Sequence, residues 1–180
     1  MGRDKATADF QGRPLIRTVY DTVREVFDDI LIISSIHGSL DGIDAPVIDD
    51  IIPVQTPMVG IATALLHANK ARVFVVACDM PFLTRDAVAC LLNAPGGAEI
   101  TIPMIGPHFQ PLHAVYGRSC LPHFLRLIGL DRLKVSGVFP YVTMNVVKDD
   151  PSFFNARGDL VFLNVNTVEE LKGAHSNGPA

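Results

Sequence analysis

The stretch Val73-Phe74-Val75-Val76-Ala77-Cys78-Asp79-Met80-Pro81-Phe82-Leu83 decides the fold. Its first five residues are apolar and mostly β-branched or aromatic, the composition of a strand buried on both faces of a parallel sheet. The run breaks at an acid, and Pro81 cannot donate to a continuing ladder. An acid at the carboxyl end of a central parallel strand lies where open α/β sheets bind ligands. One carboxylate there can hold a divalent cation against the phosphates of a nucleotide. The competing reading makes Asp79 a cap for the helix that begins near Thr84, or a turn closer.

Working outward, the 180 residues suffice for one domain with a substantial core, and the expected organisation is a single domain over 1–172 with a flexible tail at 173–180. At 48% hydrophobic and 19% charged, the composition is that of a globular chain and not a disordered one. No apolar run approaches the roughly 20 residues that span a bilayer, and no signal-peptide pattern opens the sequence, so no membrane association is expected. Cys78, Cys90 and Cys120 are odd in number and lie in apolar surroundings, which fits reduced thiols and a cytoplasmic location. A net charge of −4 argues against a nucleic-acid surface but leaves room for an anionic small substrate.

Pro14 suits a first helical turn, and Leu15, Ile16, Val19, Tyr20, Val23, Val26 and Phe27 follow at helical spacing. Ile30–Ile33 reads as a buried strand. A helix leading into such a strand implies a right-handed crossover from an earlier parallel strand, and only loop-like sequence precedes Pro14. A break in the sheet beside Ile30–Ile33 is therefore expected. A short strand near Val47-Ile48 ends at Asp49-Asp50, and Met58–His67 forms a helix with Val59, Ala62, Leu65 and Leu66 inward. Thr84 caps a helix running to Asn93. Strands follow at Ile100–Pro103 and Leu112–Tyr116, with a short helix over Leu121–Ile128 and extended chain over Val135–Val147. Leu160–Leu163 is a last strand, and Thr167 with Glu170 has the spacing of a capping box. Alternating strands and helices argue for an α/β protein, a three-layer α/β/α sandwich around a mostly parallel sheet.

Three strand ends carry polar groups: Asp49-Asp50, Asp79 and Asn164/Asn166. In a parallel sheet they share one edge, where they can converge on one ligand. Asp79 with an amide or a second acid suits Mg²⁺, a hard cation that prefers oxygen and keeps several waters. Arg3 and Lys5 are either phosphate partners or solvated terminal charges. The six histidines lack zinc-site spacing, and His113 reads as a packed or edge histidine. Cys78 sits beside a carboxylate that disfavours its thiolate. Neither a G-x-S-x-G elbow nor a complete P-loop is present.

These residues resemble a known family. Met1-Gly2-Arg3-Asp4-Lys5 is similar to the tail of the nucleotidyltransferase signature L-A-G-G-x-S-x-R-M-G-x-D-K. Gly12-Arg13-Pro14-Leu15, Pro57-Met58-Val59-Gly60, Asp79-Met80-Pro81-Phe82 and Asn164-Val165-Asn166-Thr167 follow in the family's order. The chain resembles the molybdenum cofactor guanylyltransferases from Met1 to about Lys172. The resemblance implies a Rossmann-like fold of the nucleotide-diphospho-sugar transferase type. It implies transfer of GMP from Mg-GTP to the terminal phosphate of molybdopterin, with release of pyrophosphate. Other cofactor-assembly proteins would be partners. Lys5 would contact the GTP phosphates, Asp50 would be a nucleotide-binding acid, Asp79 the Mg²⁺ ligand, and Asn164 and Asn166 would face the cleft on the pterin side.

Departures from the pattern are specific. The L-A-G-G-x-S-x-R portion and its phosphate-cradling glycine loop do not appear, from which weak GTP binding and little turnover are expected. Ser34 stands where the family often offers an Asn toward guanine, and Val54-Gln55-Thr56 replaces a glycine-rich approach to Pro57. A cytidylyl- or sugar-phosphate nucleotidyltransferase on the same fold is the rival enzyme, and a non-catalytic nucleotide- or pterin-binding relative is the alternative from another class.

Overall fold

The computed structural model describes residues 9–10, 13–34, 40 and 42–163, with no account of the side chains at 9 and 10. Contacts divide them into two units, each described by itself: one drawn from 9–28, 77–90 and 150–163, the other from 29–76 and 91–149. Lys5, Asn164, Asn166, the Thr167–Glu170 capping box and the tail at 173–180 lie outside the described residues.

The second unit holds most of the strands. Strand β3 (Ile32–Ile33) pairs in parallel with β4 (Val47–Ile48), and helix α2 (Pro57–His67) leads into β5 (Arg72–Val76). Beyond helix α3 (Arg85–Asn93) come β6 (Ile100–Ile105), β7 (His108–Phe109), β8 (His113–Gly117), helix α4 (Leu121–Gly129) and β9 (Met144–Lys148). Strand β8 pairs antiparallel with β5, Val73 opposite Tyr116, and antiparallel with β6. Two reversals make β5 and β6 run the same way, as a crossover through a helix requires, and β9 runs parallel to β6. The sheet is thus mixed, with β8 and the two-residue β7 running against the rest.

This corrects the expectation that Val73–Val76 lies between parallel neighbours. Its described partner is antiparallel because β8 returns sharply from β6 through β7, and Val73–Val76 are half-buried rather than fully enclosed. Among the described residues, β3 pairs only with β4, and β5 only with β8. Among the described residues the β3–β4 pair is not joined to the larger sheet, and α2 packs against both β3 and β5.

Apolar side chains of α2, α4 and the sheet make the core: Met58, Ile61 and Leu65 meet Ile100, Ile102, Ala114, Tyr116, Phe124 and Leu127. Tyr116 is edge-on to Phe124 at 5.8 Å, and its buried hydroxyl donates to the Pro111 carbonyl at 2.8 Å. Full burial of Leu65 implies a cost of about 2–5 kcal/mol for truncation to Ala. Val59, Ala62 and Leu65 face inward as expected, whereas Leu66 is 45% exposed, one position past the buried stripe. His113 is fully buried in β8 and edge-on to Phe74 at 5.1 Å, a packed histidine. Val135–Val147 is only partly extended: 3₁₀ turns at Val135–Gly137 and Phe139–Tyr141 precede β9.

In the first unit, β1 (Asp9–Phe10) and β2 (Arg13–Pro14) form an antiparallel pair, and helix α1 (Leu15–Arg24) buries Leu15, Ile16, Val19, Tyr20 and Val23. Arg17 Nε meets Asp21 Oδ1 at 2.9 Å on its outer face. The strand expected at Leu160–Leu163 is not formed. Asn155 Oδ1 accepts from the amides of Arg157 and Asp159, both at 2.9 Å, closing a side-chain-built turn. That turn leaves a lone antiparallel bridge, Phe154 to Leu160, after which Leu163 N–H returns to the Leu160 carbonyl at 3.1 Å. Val161 and Phe162 are buried nonetheless, so their apolarity serves packing rather than a ladder.

Candidate active site

Strand β5 delivers the chain to Asp79. Ala77 and Cys78 continue past its last paired residue, and a turn over Met80–Phe82 follows, with Met80 and Pro81 buried. Leu83 N–H closes back on the Met80 carbonyl at 3.2 Å. Capping of α3 is done by Thr84, whose Oγ1 accepts from the Ala87 amide at 3.3 Å. The capping role that competed for Asp79 is therefore taken by another residue. Asp79 Oδ1 is buried and, among the described residues, has no hydrogen-bond partner. A buried acceptor left in that state costs roughly 1–3 kcal/mol.

An oxygen so held fits a hard divalent cation. Mg²⁺ is commonly bound through one or two carboxylates, completing its shell with substrate phosphates and water. Among the described residues no group of three or more His, Cys, Asp or Glu is arranged to hold a metal, so an all-protein cage is not built there. The single carboxylate of Asp79 matches the sparse type of site.

Asp50 lies two residues beyond β4, in the other unit. Its Oδ1 is 3.3 Å from the hydroxyl of Thr63 on α2. The same hydroxyl oxygen accepts from the Ile51 amide at 3.1 Å and donates to the Val59 carbonyl at 2.9 Å. Thr63 is fully buried, so the loop carrying Asp50 is tied to the helix from inside. Burial raises the Asp50 carboxyl above its ordinary range; the Thr63 hydrogen bond opposes this, and the neighbouring Asp49 charge adds to it. Local sequence sets α2 in place: Thr56, in extended conformation, caps it by accepting from the Val59 amide at 3.4 Å, and Pro57 occupies the first turn.

Of the acids expected from the sequence, Asp50 is bonded into a network within one unit and Asp79 stands at a turn in the other. Thr63 was missed. Its signal is faint but present: a hydroxyl in an otherwise apolar helix, four residues after Val59, where Thr commonly bonds the preceding turn's carbonyl. The three cysteines are free thiols, Cys120 buried. Burial and the Glu99 charge push the Cys120 thiol up to about 11, and burial also raises Cys90.

The MobA-like NTP transferase domain family matches residues 1–139. A Pelotomaculum thermopropionicum protein named "Probable molybdenum cofactor guanylyltransferase" is 31% identical, over 95% of this chain and 83% of its own length. The molybdenum cofactor guanylyltransferase of Desulfosudis oleivorans is also 31% identical, over 97% of this chain and 87% of its own. Among solved structures, molybdopterin-guanine dinucleotide biosynthesis protein A from Archaeoglobus fulgidus superposes with a TM-score of 0.77 at 22% identity, covering 96% of this chain and 89% of that one. The 2-C-methyl-D-erythritol 4-phosphate cytidylyltransferase of Thermus thermophilus gives 0.71 at 16% identity, covering 96% and 92%. Both share the Rossmann-like α/β fold of the nucleotide-diphospho-sugar transferases. No helix among the described residues is long and apolar enough to cross a membrane.

Proposed function

The chain belongs to the MobA-like NTP transferase domain family, a family of nucleotidyltransferases, and on that premise we propose that it transfers GMP from Mg-GTP to the terminal phosphate of molybdopterin. A phosphate oxygen of the acceptor attacks the α-phosphorus of GTP, a P–O bond forms, the bond to the β-phosphate oxygen breaks, and pyrophosphate leaves. The attacking oxygen already carries its charge at neutral pH, so no side-chain nucleophile is required.

The observation that carries this reading is the buried Oδ1 of Asp79, without a hydrogen-bond partner among the described residues and set at the position the guanylyltransferase pattern reserves for a metal ligand. Mg²⁺ held there would neutralise phosphate charge as the pentavalent arrangement develops. Asp50 accepts hydrogen bonds from N–H or O–H groups of the nucleoside. Lys5 offers charge to the phosphates, and Asn164 and Asn166 offer amides to the pterin side. The relatives named as guanylyltransferases support guanine; the cytidylyltransferase likeness is one of fold. Cytoplasmic cofactor assembly, with other assembly proteins as partners, follows from the same reading.

Pyrophosphate release measured with molybdopterin and Mg²⁺, supplying GTP, CTP or ATP in turn, tests the proposal. Turnover with GTP in preference to the others is expected. A preference for CTP would overturn the guanylyl assignment, and release that does not depend on molybdopterin would overturn the acceptor.

A further inference from the structure

The knot around Thr63 does more than fasten a loop. A threonine hydroxyl has one proton and two lone pairs. One lone pair of Thr63 Oγ1 takes the Ile51 amide at 3.1 Å, leaving the proton to be directed either to the Val59 carbonyl at 2.9 Å or to Asp50 Oδ1 at 3.3 Å. Both acceptors lie within reach of a rotation about one side-chain bond, inside a fully buried position. Rotation toward Asp50 aims an O–H at the carboxylate. Rotation toward Val59 leaves a lone pair facing the same oxygen, an arrangement favourable only when Asp50 carries a proton or has its charge met elsewhere.

We propose that Thr63 is the positioning residue of the nucleotide site, its hydroxyl orienting the Asp50 carboxylate and keeping that contact while a nucleoside donor engages the acid's remaining lone pairs. This rests on the reading of Asp50 as nucleotide-binding. The surroundings leave few other controls. Pro57–Leu66 of α2 carries no charged residue, His67 is exposed at its last position, and among the described residues the charge that acts on Asp50 is that of Asp49. Gly60 is not a steric requirement here, since a Cβ on it would lie 4.0 Å from Asp50 Oδ1, an ordinary contact distance.

The test uses the full chain with Thr63→Val, nearly isosteric but without the hydroxyl, and Thr63→Ser, which restores it. Calorimetry reads Mg-GTP affinity, and carbon-13 NMR of the Asp50 carboxyl reads its titration midpoint. Thr63→Val should weaken GTP about tenfold, the usual worth of a hydrogen bond to a charged group, and raise the Asp50 midpoint; Thr63→Ser should reverse both. A merely structural threonine would lower the melting temperature of the valine variant while leaving affinity and midpoint unchanged, and that result overturns the inference. If the wild-type chain binds no GTP, the nucleotide reading of Asp50 falls separately, and an unchanged midpoint in Thr63→Val still overturns the positioning role.

Discussion

Replacing Asp79 with Ala should make the metal-free protein more stable, although Asp79 is the residue on which the proposed chemistry depends most. Its Oδ1 is buried without a hydrogen-bond partner among the described residues, a state worth roughly 1–3 kcal/mol of lost stability. Removing the carboxylate removes that cost and leaves the Leu83-to-Met80 turn closure and the Thr84 cap intact, because neither uses the Asp79 side chain. For a chain of this size each 1 kcal/mol moves the melting temperature by about 2–4 °C. Mg²⁺ reverses the order. At ten times its dissociation constant, a cation bound only to the folded wild type adds about 1.4 kcal/mol, and Asp79→Ala should lose this entirely. Asp79→Asn separates charge from shape: it keeps a buried polar group, so it should gain no stability, yet it should lose the response to Mg²⁺. Thermal melts of the three proteins in chelator and in graded Mg²⁺ give the answer. A lower melting temperature for Asp79→Ala in chelator would make the carboxylate a structural group, and an undiminished Mg²⁺ response would remove it as the ligand.

Asp50→Asn should raise stability at neutral pH while weakening GTP binding. The folded-state carboxyl is raised above its ordinary value of 3.8, chiefly by burial. Its stabilising contribution is therefore present below the unfolded value and is lost as pH rises through the folded one; melts at pH 4 and pH 7 should show the variant's advantage only at the higher pH. Cys120, pushed up to about 11 by burial and then by the Glu99 charge, should resist alkylation in the native protein at pH 8 and react on unfolding. Its contribution to stability should fall as pH rises from about 9 toward 11, a trend that Cys120→Ala should abolish in alkaline melts.

Residues whose structure is decided locally were legible in the sequence. Thr84 before Arg85–Asn93 and Thr56-Pro57 before α2 carry their helix starts within four residues, and both caps are formed. The strand at Val73–Val76 was legible for the same reason, since its composition alone marks it as sheet. Its neighbours were not. Pairing with β8 brings Val73 opposite Tyr116, and no local signal fixes which of several apolar runs returns alongside, or in which direction. Leu160–Leu163 shows the converse failure. Its β-forming composition was real, but Asn155 and Asp159, just upstream, close a turn through their side chains and leave the run without a partner. Leu66 is apolar yet exposed beside the fully buried Leu65, because a helix face ends within a single residue.

Asp50 and Asp79 both sit where their surroundings would be more stable without them. Asp79 keeps a buried oxygen that has no partner among the described residues, and Asp50 keeps a carboxyl raised by burial beside a like charge. Neither is retained for the stability of its own surroundings: the cap belongs to Thr84, and the tie between loop and helix is completed by the Ile51 amide and the Val59 carbonyl through Thr63. A local rule broken at a strand end, its structural duty already discharged by a neighbour, is what a ligand-binding position produces when the ligand supplies the missing partner. A cation would satisfy Asp79, and a donor on a nucleoside would satisfy Asp50. The two costs differ in kind: an acceptor with no partner among the described residues, and a carboxyl whose charged form burial disfavours. Each unit therefore carries its own incomplete acid, and each acid is completed by a different kind of group.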